Sequence, residues 1–97
     1  MSLNDTVPAM LEEMAATFKE RNTTYRDNYL IVGQMLAALY PDGITLKTPE
    51  DFIRFHLVDW TIGKLSRWAN TGMDHEDSIK DAAVYTTMLA AWTRDKA

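Results

Sequence analysis

The sequence predicts an all-α fold of about four helices in a bundle, formed as a single domain over residues 1–97. Apolar residues recur at spacings of three and four, which is the pattern of helices with one buried face. Start and stop signals for helices divide the chain into four such stretches. A length of 97 residues is that of a single domain.

The fraction of apolar residues is high for a chain of this small size. A short chain buries only a modest part of its surface when it folds alone, yet 46% of these residues are apolar. We therefore expect a homo-oligomer, either a dimer or a tetramer, whose interfaces complete the bundle.

The first two predicted helices are separated by a polar junction. The first is predicted to start near Thr6, with Pro8 in its first turn, and its pattern fades after residue 20. One buried face is predicted from its apolar residues, which are Met10, Leu11, Met14, Ala15 and Phe18. The second helix is predicted from Asp27, a candidate cap, to Leu39, after which Pro41-Asp42-Gly43 ends it.

The third predicted helix has the clearest start signal. Thr48-Pro49-Glu50-Asp51 supplies a hydroxyl cap, a proline at the first position and two acids in the first turn. Its periodic stretch covers residues 52–69. The fourth helix is predicted to follow Asp74, another candidate cap, and its apolar residues continue through Trp92. Because this helix is apolar nearly all round, we expect it to be buried on several sides.

Composition argues against several classes of function. The net charge is −4 and the 10 Lys and Arg residues are scattered, so nucleic-acid binding is not expected. The absence of cysteine excludes disulfides and thiolate metal sites and fits a reducing compartment. No apolar run approaches the roughly 20 residues that cross a membrane, and the N-terminus does not read as a secretory signal. We therefore expect a cytoplasmic protein with no membrane partner.

An acidic pair lies on the fourth predicted helix. Asp77 and Asp81 are four residues apart, so their side chains share a face, which Tyr85 continues. Two hard oxygen ligands placed in this way can hold Mg²⁺ beside a substrate phosphate. The alternative is a solvated first turn with one ion-paired acid, because acids are common at helix N-termini. On spacing alone, the alternative is favoured.

A cationic pair lies on the third predicted helix. Lys64 and Arg67 are three residues apart and share a face, where they can bind phosphate or form salt bridges with the acidic pair. Their long stems can instead cover apolar surface at the end of a core helix. Gly63, just before them, costs a helix up to about 1 kcal/mol relative to alanine. Close packing of another helix is the first explanation for this glycine, and ligand access is the second.

Two further groups of residues are candidates for lining a binding site. The junction between the first two helices carries Arg21, Tyr25, Asp27 and Asn28. These residues can present polar groups to a cleft, or cap the second helix and shape the turn. Trp60, Trp68 and Trp92 are expected in the core, with base stacking in a pocket as the alternative. His56 and His75 have no second His or Cys at ligand spacing, so a zinc site is not expected.

Two segments taken together resemble a known pattern. Glu20–Tyr29 reads ERNTTYRDNY, and Lys64–Tyr85 carries K-x2-R followed by D-S-x2-D-x3-Y. With Thr48-Pro49-Glu50-Asp51 between them, the order resembles a family of small phage and prophage domains of unknown function. Those domains read R-x3-Y-G-D, T-P-x-D, K-x2-R and D-S-x2-D-x3-Y. The resemblance covers about residues 20–90, and the family is similar to the all-α MazG-like nucleotide pyrophosphohydrolases.

The resemblance implies a MazG-like oligomer of helical bundles, in the host cytoplasm if the chain is phage-encoded. It implies Mg²⁺ held by Asp77 and Asp81, and hydrolysis of a nucleoside triphosphate to a monophosphate and pyrophosphate. Lys64 and Arg67 would neutralise phosphate charge in the transition state, so these four residues form the implied catalytic set. The implied nucleotide contacts are Tyr25, Asp27, Asn28 and Trp68.

The sequence lacks several of the carboxylates that the enzymes carry. The enzymes carry E-E-x2-E on one helix and E-x2-D on the next. Here Ala16 stands where a third acid would follow Glu12-Glu13. Ile79 stands three residues after Glu76, and Arg26 replaces the glycine of Y-G-D. Because a two-metal site needs several convergent carboxylates, a second hypothesis stays open. In it, a non-catalytic phage accessory protein binds another protein through an apolar helix face, and the acidic and cationic pairs form an internal ion-pair network.

Overall fold

The computed structural model describes residues 2–25 and 27–96, apart from the side chains of Tyr25 and Lys96. Within these residues the chain forms four α-helices and no strand, which confirms the all-α prediction. The helices are α1 (Leu3–Tyr25), α2 (Asn28–Leu39), α3 (Pro49–Asn70) and α4 (Glu76–Lys96). No helix in the described ranges combines the length and the apolar character that crossing a membrane requires.

The core lies between α3 and α4, and α2 packs on α3 over a shorter length. Leu57 and Ile62 of α3 and Ala82 of α4 are the buried apolar residues of the described chain. Ser66 of α3 and Ser78 of α4 are also buried. Small side chains at these positions allow the two helix axes to approach closely, because interaxial distance depends on the residues at the contact.

α1 is longer than predicted at both ends. It begins after Ser2, whose carbonyl accepts hydrogen bonds of 3.1 Å from the N–H groups of Asp5 and Thr6. It continues past residue 20 because the hydroxyls of Thr23 and Thr24 donate to carbonyls four residues earlier, at 2.7 and 3.3 Å. These bonds satisfy the two hydroxyls inside the helix, so the hydroxyls do not compete for backbone groups by forming a turn.

The predicted buried face of α1 is wrong within this chain. Its apolar residues Met10, Leu11, Met14, Ala15 and Phe18 are all exposed. The radius of gyration is 17.6 Å, against about 12.5 Å for a compact domain of this length. The periodic pattern identifies which face of α1 is apolar, but α1 packs little against α2, α3 or α4.

α4 is also less buried than predicted. One of its faces packs on α3, whereas Val84 and Met88 are exposed. The first turn begins at the carbonyl of His75, which accepts from the N–H of Ser78 at 3.2 Å. Asp74 therefore lies before the cap position that it was predicted to occupy.

The turn before α2 differs from the prediction in one respect. Asp27 stands at the cap position in the left-handed region, with φ 59° and ψ 37°, and its side chain makes no capping bond. Its Oδ1 atom instead accepts a 2.7 Å hydrogen bond from Nδ2 of Asn22. The end of α2 at Leu39 is as predicted, and Gly43 supplies the positive φ of the following turn.

The start of α3 confirms the predicted cap. Thr48 Oγ1 accepts from the N–H of Asp51 at 3.2 Å, and Asp51 Oδ2 accepts from the N–H of Thr48 at 3.2 Å. This reciprocal arrangement is a capping box. The N–H of Lys47 also donates to Asp51 Oδ2, at 3.1 Å, and Arg54 bonds to Oδ1 at 3.0 Å. The backbone N–H groups of Lys47 and Thr48 are the main reason why the pKa of Asp51 is lowered.

This lowered pKa predicts a pH dependence of stability. A carboxylate whose pKa falls on folding stabilises the fold above its ordinary pKa, here 3.8, and loses that contribution as the pH falls through the folded value. We expect Asp51→Asn to be less stable than wild type at neutral pH, with the difference shrinking in acid. Urea unfolding across this range measures it, and Asp42→Asn in the turn after α2 is the matched charge control. A stability difference for Asp51→Asn that does not change with pH would contradict the account.

Candidate functional site

A cavity of about 400 Å³ opens between α2, α3 and α4. We call it the central cavity. Its lining residues are Asn28, Val32, Asp59, Trp60, Gly63, Lys64, Arg67 and Tyr85. The set combines two cations, two aromatic rings, one amide and one carboxylate, so the cavity offers both polar groups and flat apolar surface to a ligand.

One face of α3 supplies the main wall of the central cavity. Trp60, Lys64 and Arg67 are spaced i, i+4 and i+7, so they lie above one another on that face. A Cβ atom at Gly63 would have no atom of a neighbouring helix within 4 Å. The prediction that Gly63 serves close helix packing is therefore wrong, and the glycine leaves open space beside the cavity.

The structure brings one acid and one cation together. Lys64 Nζ lies 3.1 Å from Asp81 Oδ2, which joins α3 to α4. The Lys64 side chain is 25% exposed and that of Asp81 is 46% exposed, so the pair remains accessible to water. Asp77 lies one turn earlier on α4 and is exposed, and neither Asp77 nor Asp81 is among the lining residues of the central cavity. Arg67 lines the central cavity beside Lys64.

A polar network holds Asn28 at the junction of α2 and α3. Its Oδ1 atom accepts a hydrogen bond from the buried hydroxyl of Ser66. Asn70 Nδ2 in turn donates to Ser66 Oγ at 3.4 Å. The sequence had predicted Asn28 either for a cleft or for the turn, and the structure places it in the cavity wall.

Trp60 lines the central cavity, in agreement with the alternative interpretation of the tryptophans instead of the favoured one. It was expected in the core, but 47% of its surface is exposed. Its ring centroid lies 4.1 Å from that of His56 and 5.1 Å from that of Tyr85. The signal was present in the sequence, since Trp60 shares the helix face of Lys64 and Arg67. Tyr85 also lines the cavity, as the predicted continuation of the Asp77 and Asp81 face.

Two predicted nucleotide contacts, Trp68 and Asp27, are not among the lining residues of the cavity. Trp68 follows Arg67 directly, which turns it by about 100° around α3, and it is half-buried outside the lining. The carboxylate of Asp27 bonds to Asn22 in the turn. The side chain of Tyr25 lies outside the described residues.

The acids only partly fit the Mg²⁺ that the resemblance implies. Among the residues that the structure describes, no group of three His, Cys, Asp or Glu is placed to hold a metal ion. Asp81 is already paired with Lys64. A preformed two-metal site needs more carboxylates than this. A Mg²⁺ that arrives with a nucleotide needs only one or two carboxylates, because such an ion takes most of its ligands from phosphate oxygens and water.

Comparisons with protein-family models, with curated proteins and with solved structures find no match for this chain.

Proposed function

We propose that this chain is a MazG-like protein that binds a nucleotide in the central cavity. The observation that carries the proposal is the row of Trp60, Lys64 and Arg67 along one wall of an open cavity. A nucleotide needs cations for its phosphates and a flat apolar surface for its base, and this wall presents both. The volume of about 400 Å³ lies within the usual range of ligand pockets.

Five of the lining residues have a role in this proposal. Lys64 and Arg67 donate charge-assisted hydrogen bonds to the phosphates. Trp60 and Tyr85 take the base-stacking role that the sequence interpretation gave to Trp68, since aromatic stacking is worth about 1–3 kcal/mol per base. Asn28 offers an amide to the base or sugar.

The stronger form of the proposal is hydrolysis of a nucleoside triphosphate. Water attacks the α-phosphorus, the bond to the bridging oxygen breaks, and pyrophosphate leaves. Mg²⁺ brought by the nucleotide would neutralise phosphate charge beside Asp77 and Asp81. In this form the triphosphate extends out of the central cavity past Lys64 to Asp77 on α4, which accepts the proton of the attacking water. Lys64 and Arg67 stabilise the negative charge that develops. We place this activity in the cytoplasm, where nucleoside triphosphates and Mg²⁺ are available.

Thermal unfolding tests the binding proposal. The protein is melted with Mg²⁺ and a panel of nucleoside triphosphates, and with Mg²⁺ alone. A nucleotide at about 100 times its Kd adds roughly 2.7 kcal/mol to the free energy of unfolding. For a chain of this size that corresponds to a rise in Tm on the order of 10 °C. The absence of a shift with every nucleotide would contradict the proposal.

Pyrophosphate release then separates hydrolysis from binding. We expect wild type to release pyrophosphate from at least one nucleotide that raises its Tm, and Asp77→Ala to lose that release while keeping its fold. Asp74→Ala removes a nearby exposed acid and is the matched control. Binding without release in wild type would leave the chain a nucleotide-binding protein and would reject the catalytic role of Asp77.

The bridge between Lys64 and Asp81 favours a second candidate function. In this alternative the chain is a non-catalytic phage accessory protein that acts through protein–protein contacts, and the bridge fixes the register of α3 against α4. The bond of 3.1 Å between residues of different helices is the observation that supports it.

A double-mutant cycle on Lys64→Met and Asp81→Asn distinguishes a ligand-binding role of this pair from a structural ion pair between α3 and α4. Because both side chains are partly exposed, we expect a coupling free energy of about 0.2–1 kcal/mol. The more exposed pair of Lys80 and Glu76, 2.8 Å apart, is the control and is expected at about 0.3–0.5 kcal/mol. A coupling well above about 1 kcal/mol for Lys64 and Asp81 would instead favour the structural ion-pair network.

A further inference from the structure

One face of α1 is apolar along most of its length and lies open. It carries Val7, Met10, Leu11, Met14 and Phe18, which we call the α1 stripe. Their spacing of three and four puts them on one side of a 23-residue helix. Phe18 is 59% exposed and Met14 is 57% exposed. Continuous apolar surface of this kind marks an interaction site in a folded protein.

The solvent-accessible surface area of this chain is larger than that of a compact monomer of the same mass. The accessible surface is 7560 Å², whereas a folded monomer of 11.1 kDa is expected to expose about 5,700 Å². The excess is about 1,900 Å², and a standard protein–protein interface covers about 800 Å² on each partner. A stable dimer therefore requires less area than this chain leaves open.

We propose that α1 packs antiparallel against α1 of a second copy of this chain, with the two α1 stripes in contact. The charges on α1 favour this direction. Asp5, Glu12 and Glu13 give its first half a formal charge of −3, whereas Lys19, Glu20 and Arg21 give its second half a formal charge of +1. Antiparallel pairing places the basic half of each helix beside the acidic half of the other, and it also opposes the helix dipoles.

The surface beside the α1 stripe has room for a partner. A groove of about 890 Å³ runs from α1 to α2 and is lined in part by Met14, Phe18, Asn28, Tyr29 and Arg67. Tyr29 of α2 is 61% exposed and adds apolar surface beside the α1 stripe. The polar part of the groove is lined by Thr17, Glu20, Arg21, Asn22 and Thr24. The pairing does not depend on the proposed nucleotide site, although Asn28 and Arg67 line both the groove and the central cavity.

The mass in solution tests the pairing. By light scattering at micromolar concentration, wild type is expected at twice the 11.1 kDa of one chain. Met14→Glu/Phe18→Glu is expected at the mass of one chain. Ala9→Glu/Ala16→Glu adds the same charge to the opposite face of α1 and is expected to remain dimeric. A monomeric wild type would overturn the proposal. If that monomer also had the radius of a compact domain, α1 would be shown to fold back on its own chain.

Cross-linking makes the test independent of variants that fail to fold. The chain has no cysteine, so Met14→Cys introduces a single thiol at the midpoint of Leu3–Tyr25. Antiparallel pairing about this midpoint brings the two thiols into the range of disulfide formation. We expect mild oxidation to link most of the Met14→Cys chains and few of the Ala16→Cys chains. Equal linking of both variants, or a dimer in which neither is linked, would overturn the proposal.

Discussion

The variant Lys64→Gln/Arg67→Gln is expected to lose the stabilisation by nucleotide almost completely. Each cation that contacts phosphate contributes about 1.5–3 kcal/mol through charge-assisted hydrogen bonds. Removing both is therefore expected to weaken Kd by a factor of roughly 10² or more. The measurement is the rise in Tm, or the Kd itself, with the best nucleotide of the panel.

The control for this variant removes the same charge away from the central cavity. Lys80 and Arg94 are exposed on α4, so Lys80→Gln/Arg94→Gln lowers the net charge equally. We expect this control to bind nucleotide within about twofold of wild type, which is under about 0.5 kcal/mol. If both variants lose binding to the same extent, the interaction depends on overall charge instead of on the cavity.

Leu57→Ala is expected to have the largest effect on folding. Leu57 is 3% exposed and is one of the few buried apolar residues between α3 and α4. Truncation of a buried leucine costs about 2–5 kcal/mol, against a total stability of about 5–15 kcal/mol for a typical domain. Urea unfolding at one fixed protein concentration measures the loss, since self-association raises apparent stability.

An exposed leucine provides the comparison for Leu57→Ala. Leu39 at the end of α2 is 54% exposed, and we expect Leu39→Ala to change the stability by about 0.5 kcal/mol or less. Equal losses in the two variants would show that the core does not lie between α3 and α4. A small loss in both would place the main stabilising contacts elsewhere, for example between copies of the chain.

Local signals predicted the helix boundaries well where neighbouring residues alone decide them. The α3 start is the best example, because Thr48 and Asp51 cap each other across three residues of sequence. The end of α2 at Leu39 is another. The extension of α1 past residue 20 was not predicted, because threonine is common in turns. In this helix the threonine hydroxyls donate to carbonyls of the preceding turn instead.

Contacts between helices were harder to predict because periodicity does not say what covers an apolar face. The stripe of α1 follows the pattern of a buried face, yet Met14 and Phe18 are exposed in a single chain. The same limit explains Gly63, whose cost to the helix suggested close packing where the structure has open space. Both errors concern partners distant in sequence or in another molecule.

In the candidate site, too, some features were predicted from the sequence and others were not. The pairing of Lys64 with Asp81 was among the interpretations of the sequence, and the structure places those atoms 3.1 Å apart. The choice between the tryptophans was not predicted correctly. Trp60 and Trp68 are equally aromatic, and only their angle around α3 relative to Lys64 decides which of them reaches the cavity.

The most direct test of the proposed function follows the tryptophan indole N–H signals by NMR during titration with Mg²⁺ and a nucleoside triphosphate. Trp60 lines the central cavity, whereas Trp92 lies near the end of α4 beside Asp95. We expect a saturable shift of the Trp60 signal, little change at Trp92, and loss of the shift in Lys64→Gln/Arg67→Gln. No change in the Trp60 signal with any nucleotide, or a shift confined to Trp92, would contradict nucleotide binding in the central cavity.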